Sequence, residues 1–183
     1  VEDKNIDRGQ SFRRGVYESV FERKMEMDRS TVYMIWQSEA QFSVRNDVIM
    51  DALVQAMENL LLTKMREEAG ATYSPSVAGS VQPNFFGDEA QFLVGFQTSP
   101  EMRETLVNIA NTELARVAEE GVDEDQLTKT RQLLIKDYKE AQRKNGAMAS
   151  YLNMYYRYGH DCKTDYMQAV LEFTSDDVRD LAK

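Results

Sequence analysis

Met65-Arg66-Glu67-Glu68-Ala69-Gly70-Ala71-Thr72-Tyr73-Ser74 joins a helix end to a strand start, and the rest of the sequence is read from it. Arg66 falls at the end of a long amphipathic helix, Tyr73 stands seven residues later at the start of a strand, and Gly70 lies between them as the left-handed stop that ends helices. Upstream, residues 46–66 read as that helix, because Ile49, Leu53, Ala56, Met57, Leu60 and Leu61 recur at three- and four-residue spacing and form one apolar face. Downstream, residues 72–81 and 89–98 read as paired strands, with Pro83, Asn84 and Gly87 punctuating the loop between them. Phe92, Val94 and Phe96 share a face of the second strand, and Gly95 sits opposite, where another group can approach closely.

The same reading extends outward. Residues 30–38 form a strand, with Val32, Met34 and Trp36 on one face and Tyr33 and Ile35 on the other. Ser99-Pro100-Glu101 opens a helix with a cap residue and a proline at its first position, and Gly121 stops that helix after Glu120. Asp123 caps the next one, with Gln126 completing a capping box and Val122 and Leu127 as the staple. This helical region reaches about Tyr158, with a break near Asn145-Gly146. A shorter helix spans residues 163–172, and Thr174 caps a last one, with Asp177 as box partner and Phe173 and Val178 as staple. That helix has barely two turns before Lys183, and a helix so short is marginal alone, so the natural protein is expected to continue. Residues 1–27 are polar and read as a linker or leader, with Val16 and Val20 placed to pack inward from a short strand around residues 15–21. Residues 28–183 form the domain. Few strands preceding many helices predict an α+β fold, an antiparallel sheet covered on one face by helices.

Composition excludes several functions. A net charge of −9, from 31 acidic and 22 basic residues, argues against a nucleic-acid partner. No apolar run approaches the length of a membrane span, and no secretory signal pattern opens the sequence. The single cysteine, Cys162, rules out an internal disulfide framework and leaves the compartment open.

The R-E-E-x-G-x-x-Y-S string, within this order of elements, resembles the non-zinc C-terminal-type domain of the insulinase/pitrilysin family of zinc metallopeptidases, as found in bacterial zinc proteases. Phe12 to Phe21 is similar to the family's lead-in, Ser30-Thr31-Val32-Tyr33 to its first strand, Gly121 to Leu127 to its recurrent helix start, and Thr174 to Val178 to its closing helix. The resemblance runs from about residue 10 to the end, and the arginine-to-tyrosine spacing is its sharpest element. It implies that two similar halves face each other across a chamber that encloses a peptide substrate. One half holds zinc through an inverted H-x-x-E-H motif, which this chain lacks. The other reaches the substrate through an arginine and a tyrosine, here Arg66 and Tyr73. An arginine fork binds a peptide carbonyl or carboxylate with two bonds, and a tyrosine hydroxyl donates to the oxyanion formed as the carbonyl is attacked. The implied partners are a zinc-bearing half of the same protein, or a separate subunit, and a peptide. Zinc is expected outside this chain, and no catalytic or metal-binding residue is expected within it. The alternative is a non-catalytic structural or partner subunit that keeps the fold, which fold alone does not distinguish. The compartment stays open between bacterial cytoplasm and periplasm.

Two other constellations are read as structural. His160-Asp161-Cys162 offers three ligand types in a row, yet adjacent residues rarely converge on one ion, and a polar loop after a helix is the plainer reading. Tyr151, Met154, Tyr155 and Tyr158 form a stripe at helical spacing that suits a core or a domain interface, with a place on the chamber wall as the alternative. Extended peptides also bind by adding a strand to a sheet edge, and the sequence leaves open which edge is free.

Overall fold

The structure, a computed structural model, describes residues 14–24, 26–69, 74–84 and 87–183. Strand β1 (Ser30–Glu39) leads into the long helix α1 (Val44–Ala69), then β2 (Ser76–Gln82) and β3 (Glu89–Thr98). A 3-10 turn (Pro100–Met102) follows, then α2 (Arg103–Glu120), α3 (Glu124–Ala141), α4 (Asn145–Tyr158), α5 (Tyr166–Glu172) and α6 (Ser175–Ala182). The strands form an antiparallel sheet in the order β1-β3-β2, so the outer edges belong to β1 and β2. This is the expected α+β architecture.

Period-two alternation sets the sheet's two faces. On the inner face Val32 pairs with Phe96, Met34 with Val94 and Trp36 with Phe92, the last pair with ring centroids 5.7 Å apart. On the outer face Tyr33 pairs with Gly95 and Ile35 with Leu93, and Tyr33 and Ile35 are exposed. Helix α1 packs on the inner face and also carries α2, α3, α5 and α6 on its far side. Its buried surface is therefore wider than one stripe: Val48, Met50, Ala52 and Met65 join the expected Ile49, Leu53, Ala56, Met57 and Leu61. The helix starts two residues earlier than expected because the Ser43 hydroxyl accepts the Asn46 N–H at 3.0 Å and caps it.

Three other expectations are corrected. Residues 15–21 form no strand, and Val16, Val20 and Phe21 are exposed rather than packed inward. The sheet already ends at β1 among the described residues, so no ladder receives that segment. Ser99 makes no side-chain cap bond, and the segment after it begins as a 3-10 turn. Asp123 caps α3 by accepting the Gln126 N–H at 2.7 Å, but the Gln126 amide does not complete the box. It donates instead to the Ala56 carbonyl of α1 at 2.8 Å, tying the start of α3 to the central helix.

The C-terminal helices are fixed by the caps expected of them and by contacts no local pattern announces. Thr174 and Asp177 complete a capping box, and Phe173 and Val178 are both fully buried. Arg131 of α3 donates to the Val170 and Phe173 carbonyls at 3.2 and 2.9 Å, satisfying the last turn of α5. Ser175 Oγ accepts the Val122 N–H at 2.9 Å and donates to the Val122 carbonyl at 2.6 Å, clamping α6 to the turn before α3. Gly121 makes this approach possible. Its φ of 76° and ψ of −155° suit glycine alone, and a Cβ there would collide with Ser175. Gly121→Ala is expected to lower stability by roughly 2 kcal/mol, read as a lowered urea midpoint; an unchanged midpoint would show that the clamp is not required.

Candidate substrate-facing site

Arg66 occupies the last turn of α1, where a cation complements the negative end of the helix dipole. Its side chain is exposed, while its neighbour Met65 is fully buried. The backbone carrying the guanidinium is thus anchored in the core as the side chain reaches into solvent. Tyr73 lies outside the described residues. The described chain resumes at exposed Ser74 and buried Pro75, and β2 starts only at Ser76, opposite Gly95. This corrects the expected start at residue 72 as far as Ser74 and Pro75 are concerned: Pro75 has no N–H to give to a ladder.

Among the described residues the outer face of the sheet is uncovered at this same end. Tyr33, Gly95 and Ser76 form one row across β1, β3 and β2, and Ile35, Leu93 and Ala78 form the next. With no side chain at Gly95, the Tyr33 ring lies down on the sheet; a Cβ on Gly95 would stand only 3.1 Å from it. Above this floor runs a groove of about 620 Å³, bounded by Asp28 and Arg29 on one side and by Ser74 and Ser76 on the other. Arg29 donates to the Gln97 amide oxygen at 3.1 Å across the end of the groove. The close approach that the sequence predicts at Gly95 is made by Tyr33, its partner in the register. Nothing local in the sequence singles out Tyr33, Leu93 or Arg29.

A second cluster escaped sequence reading. Asp47 and Asp51, one helical turn apart on α1, sit with Tyr166 of α5 and near Asp137 of α3 and Tyr151 of α4. Burial, reinforced by the charges of Asp47 and Asp137, pushes the Asp51 carboxyl up to about 7. Burial also raises Asp47, although the Val81 N–H it accepts pulls the other way. The Tyr166 phenol is pushed well up by burial first and by Asp51 next, and its ring stacks on Tyr138 at 4.7 Å. Asp51 lies fifteen residues before Arg66 on the same helix, about 22 Å at a 1.5 Å rise, so the cluster is remote from Arg66. The available signal was the position of both aspartates beside Val48 and Ala52, on a helix apolar around most of its girth.

The remaining constellations have structural settings. The His160 ring packs on Phe42 at 4.7 Å. Asp161 accepts the Thr164 hydroxyl at 2.6 Å and the Lys163 and Thr164 N–H groups at 3.0 Å, which holds its carboxyl below the ordinary range. Burial raises the Cys162 thiol, which opposes a ready thiolate. Among the described residues no group of three or more His, Cys, Asp or Glu side chains is arranged to hold a metal. The tyrosine stripe divides: Tyr151, Met154 and Tyr158 are half-buried and Tyr155 is exposed. No helix is long and apolar enough to cross a membrane.

A three-stranded antiparallel sheet backed by one long helix and a helical layer is the fold of a peptidase half-domain. It is shared with the periplasmic protease PqqL from Escherichia coli at a TM-score of 0.69 and 20% identity, covering 87% of this chain and 18% of PqqL. A protease from Helicobacter pylori matches at 0.65 and 18% identity, over 87% of this chain and 39% of its own. The inactive peptidase domain of an assigned zinc protease from Bordetella parapertussis matches at 0.63 and 14% identity, over 86% and 87%. Identities this low establish the fold alone. The family described as the peptidase M16 inactive domain matches residues 5–134, and the chain belongs to it. No curated protein sequence matches. The resemblance drawn from the Arg66–Tyr73 string is borne out at the level of family and fold.

Proposed function

We propose that this chain is the substrate-binding and chamber-forming domain of a zinc-dependent peptidase that hydrolyses peptide bonds, with zinc held by another domain or a partner subunit. The observation that carries this reading is the open face of the sheet. Helices cover the other side, and the groove on the open face borders Ser74, the residue after Tyr73, at the connection where α1 delivers Arg66. Such a face gives an enclosed peptide a wall; in this reading Arg66 adds an arginine fork for a carbonyl or carboxylate, and Tyr73 adds a hydroxyl for the developing oxyanion. Zinc, bound elsewhere, supplies Lewis-acid polarisation and an activated water. The part of this chain is to bind the peptide, orient it and donate hydrogen bonds.

The test uses the full-length parent protein and quenched fluorescent peptides. Hydrolysis is expected, with complete loss on chelation. Arg66→Ala is expected to raise KM by about tenfold with little change in kcat, as removal of a charge-assisted ground-state contact should. Full activity in Arg66→Ala would remove the assigned role. A parent that lacks H-x-x-E-H and cleaves nothing would be the non-catalytic partner subunit instead.

A further inference from the structure

We propose that residues 145–165, helix α4 and the turn after it, form a strap that lies closed over the Asp47–Asp51 cluster while Asp51 is protonated and opens to water when Asp51 ionises. The strap is independent of the peptide-binding reading, because the cluster is remote from Arg66.

Asp51 is the member of the cluster with nothing to offset its charge. Asp47 accepts the Val81 N–H at 3.3 Å, whereas Asp51 has no hydrogen-bond partner among the described residues. The groups that face it are Asp47 one turn back on α1, Asp137 of α3 and Tyr166 of α5, with Tyr151 of α4 and Cys162 of the following turn completing the cluster. Strand β2 carries no titratable side chain, α2 sends no charge to Asp51, and Asp177 of α6 is committed to Arg45 at 2.8 Å. Ionisation of Asp51 therefore sets a third carboxylate beside Asp47 and Asp137 with neither a cation nor a donor to answer it. Water relieves that charge, and it enters where the cover gives way most easily.

The weakest cover is α4. The other elements around Asp51 are locked: Gln126 ties α3 to α1, Arg131 ties α3 to the end of α5, and Val170 and Phe173 are fully buried. Helix α4 has no buried residue; Tyr151, Met154 and Tyr158 reach the body half-buried, while Met148, Leu152, Tyr155 and Tyr156 are exposed. Both of its ends can swing. Lys144 before it is extended, and Gly159 after it is left-handed, with φ of 78° and open space where a Cβ would stand. The turn beyond is fastened by an exposed bond from the Tyr138 hydroxyl to the Lys163 carbonyl at 3.1 Å and by the His160 ring on Phe42. Linkage sets the direction. With the strap closed, burial and the neighbouring carboxylates hold the Asp51 proton to about pH 7; with it open, hydration returns the carboxyl toward its ordinary value. Between those values the closed form binds more protons, so opening grows by up to about tenfold per pH unit and levels off above the closed-state value.

Hydrogen–deuterium exchange of the full-length protein, read by mass spectrometry and corrected for the intrinsic pH dependence of amide exchange, tests the strap. In the wild type, protection of residues 145–165 is expected to fall by roughly tenfold between pH 5.5 and 7 and to stay level from 7 to 8, while α1 and β3 keep theirs. Asp51→Asn should hold the strap protected at every pH. Asp137→Asn, a change at an exposed residue, removes one of the charges that retain the proton, so the fall should be smaller and complete at lower pH. Protection that is flat with pH in the wild type overturns the strap. So does a fall that persists in Asp51→Asn, which would trace to another group such as His160, and so does a fall shared equally by α1 and β3, which would report global unfolding. If Asp51→Asn does not fold, the Asp137→Asn profile decides: a downward shift upholds the strap, and a profile identical to wild type overturns it.

Discussion

Tyr73→Phe in the full-length, zinc-loaded protein is expected to lower kcat by about 100- to 1,000-fold, the cost of roughly 2.7–4 kcal/mol for removing one preorganised oxyanion donor. KM should stay within about twofold. The asymmetry follows from when the bond is made. The ground-state carbonyl oxygen carries partial charge and is solvated or weakly bonded. The oxyanion carries nearly full charge in a site from which water is excluded, where a fixed donor needs no reorganisation. Removing the hydroxyl while keeping the ring leaves packing and substrate contact intact, so only an interaction stronger in the transition state is lost. Arg66→Ala should show the opposite split, since a guanidinium holding a distal carbonyl or carboxylate contributes to ground and transition states alike. Steady-state kinetics on the two variants separates the roles. Equal loss in KM and kcat for Tyr73→Phe would make Tyr73 a packing residue, and full activity would remove it from the site.

Asp51→Asn is expected to stabilise the protein at pH 8 by up to about 4 kcal/mol, at roughly 1.36 kcal/mol per unit of pKa shift, less whatever solvent at its partly exposed edge screens. The sign follows from linkage. In the unfolded chain the carboxyl ionises near its ordinary value of 3.8, whereas in the fold burial and the neighbouring Asp47 and Asp137 charges hold the proton until about pH 7. Between those values the folded state binds more protons, so stability falls as pH rises and the full penalty is present only above about 7. The asparagine never ionises and escapes the penalty. Urea midpoints of the two proteins should therefore coincide near pH 4, diverge through pH 5 and 6, and separate most at pH 8. A difference independent of pH would mean that the charge of Asp51 is not buried against its neighbours.

Elements with strong periodicity were legible. Alternation in β1 and β3 identified the inward triplets Val32, Met34, Trp36 and Phe92, Val94, Phe96, which are the residues that pair across the sheet. The Thr174 capping box and the glycine stop at Gly121 also stand where read. Local rules failed where a side chain had a better partner far along the chain. Gln126 had the spacing of a box residue, but the Ala56 carbonyl lay within reach. Val16 and Val20 had the pattern of a strand, but no ladder received them.

The α+β class, the apolar faces, the family resemblance in the ordered set of local strings, and the absence of an H-x-x-E-H motif in this chain are legible along the chain, because periodicity, capping and motif spacing act over a few residues. The order β1-β3-β2, which lays Tyr33 over Gly95, and the packing of helices around α1, which buries Asp51 near Asp47, emerge from long-range packing alone. Those outcomes depend on which distant face covers which. A local pattern says that a face must be covered; long-range pairing and helix packing select the partner and leave the outer side of the sheet open.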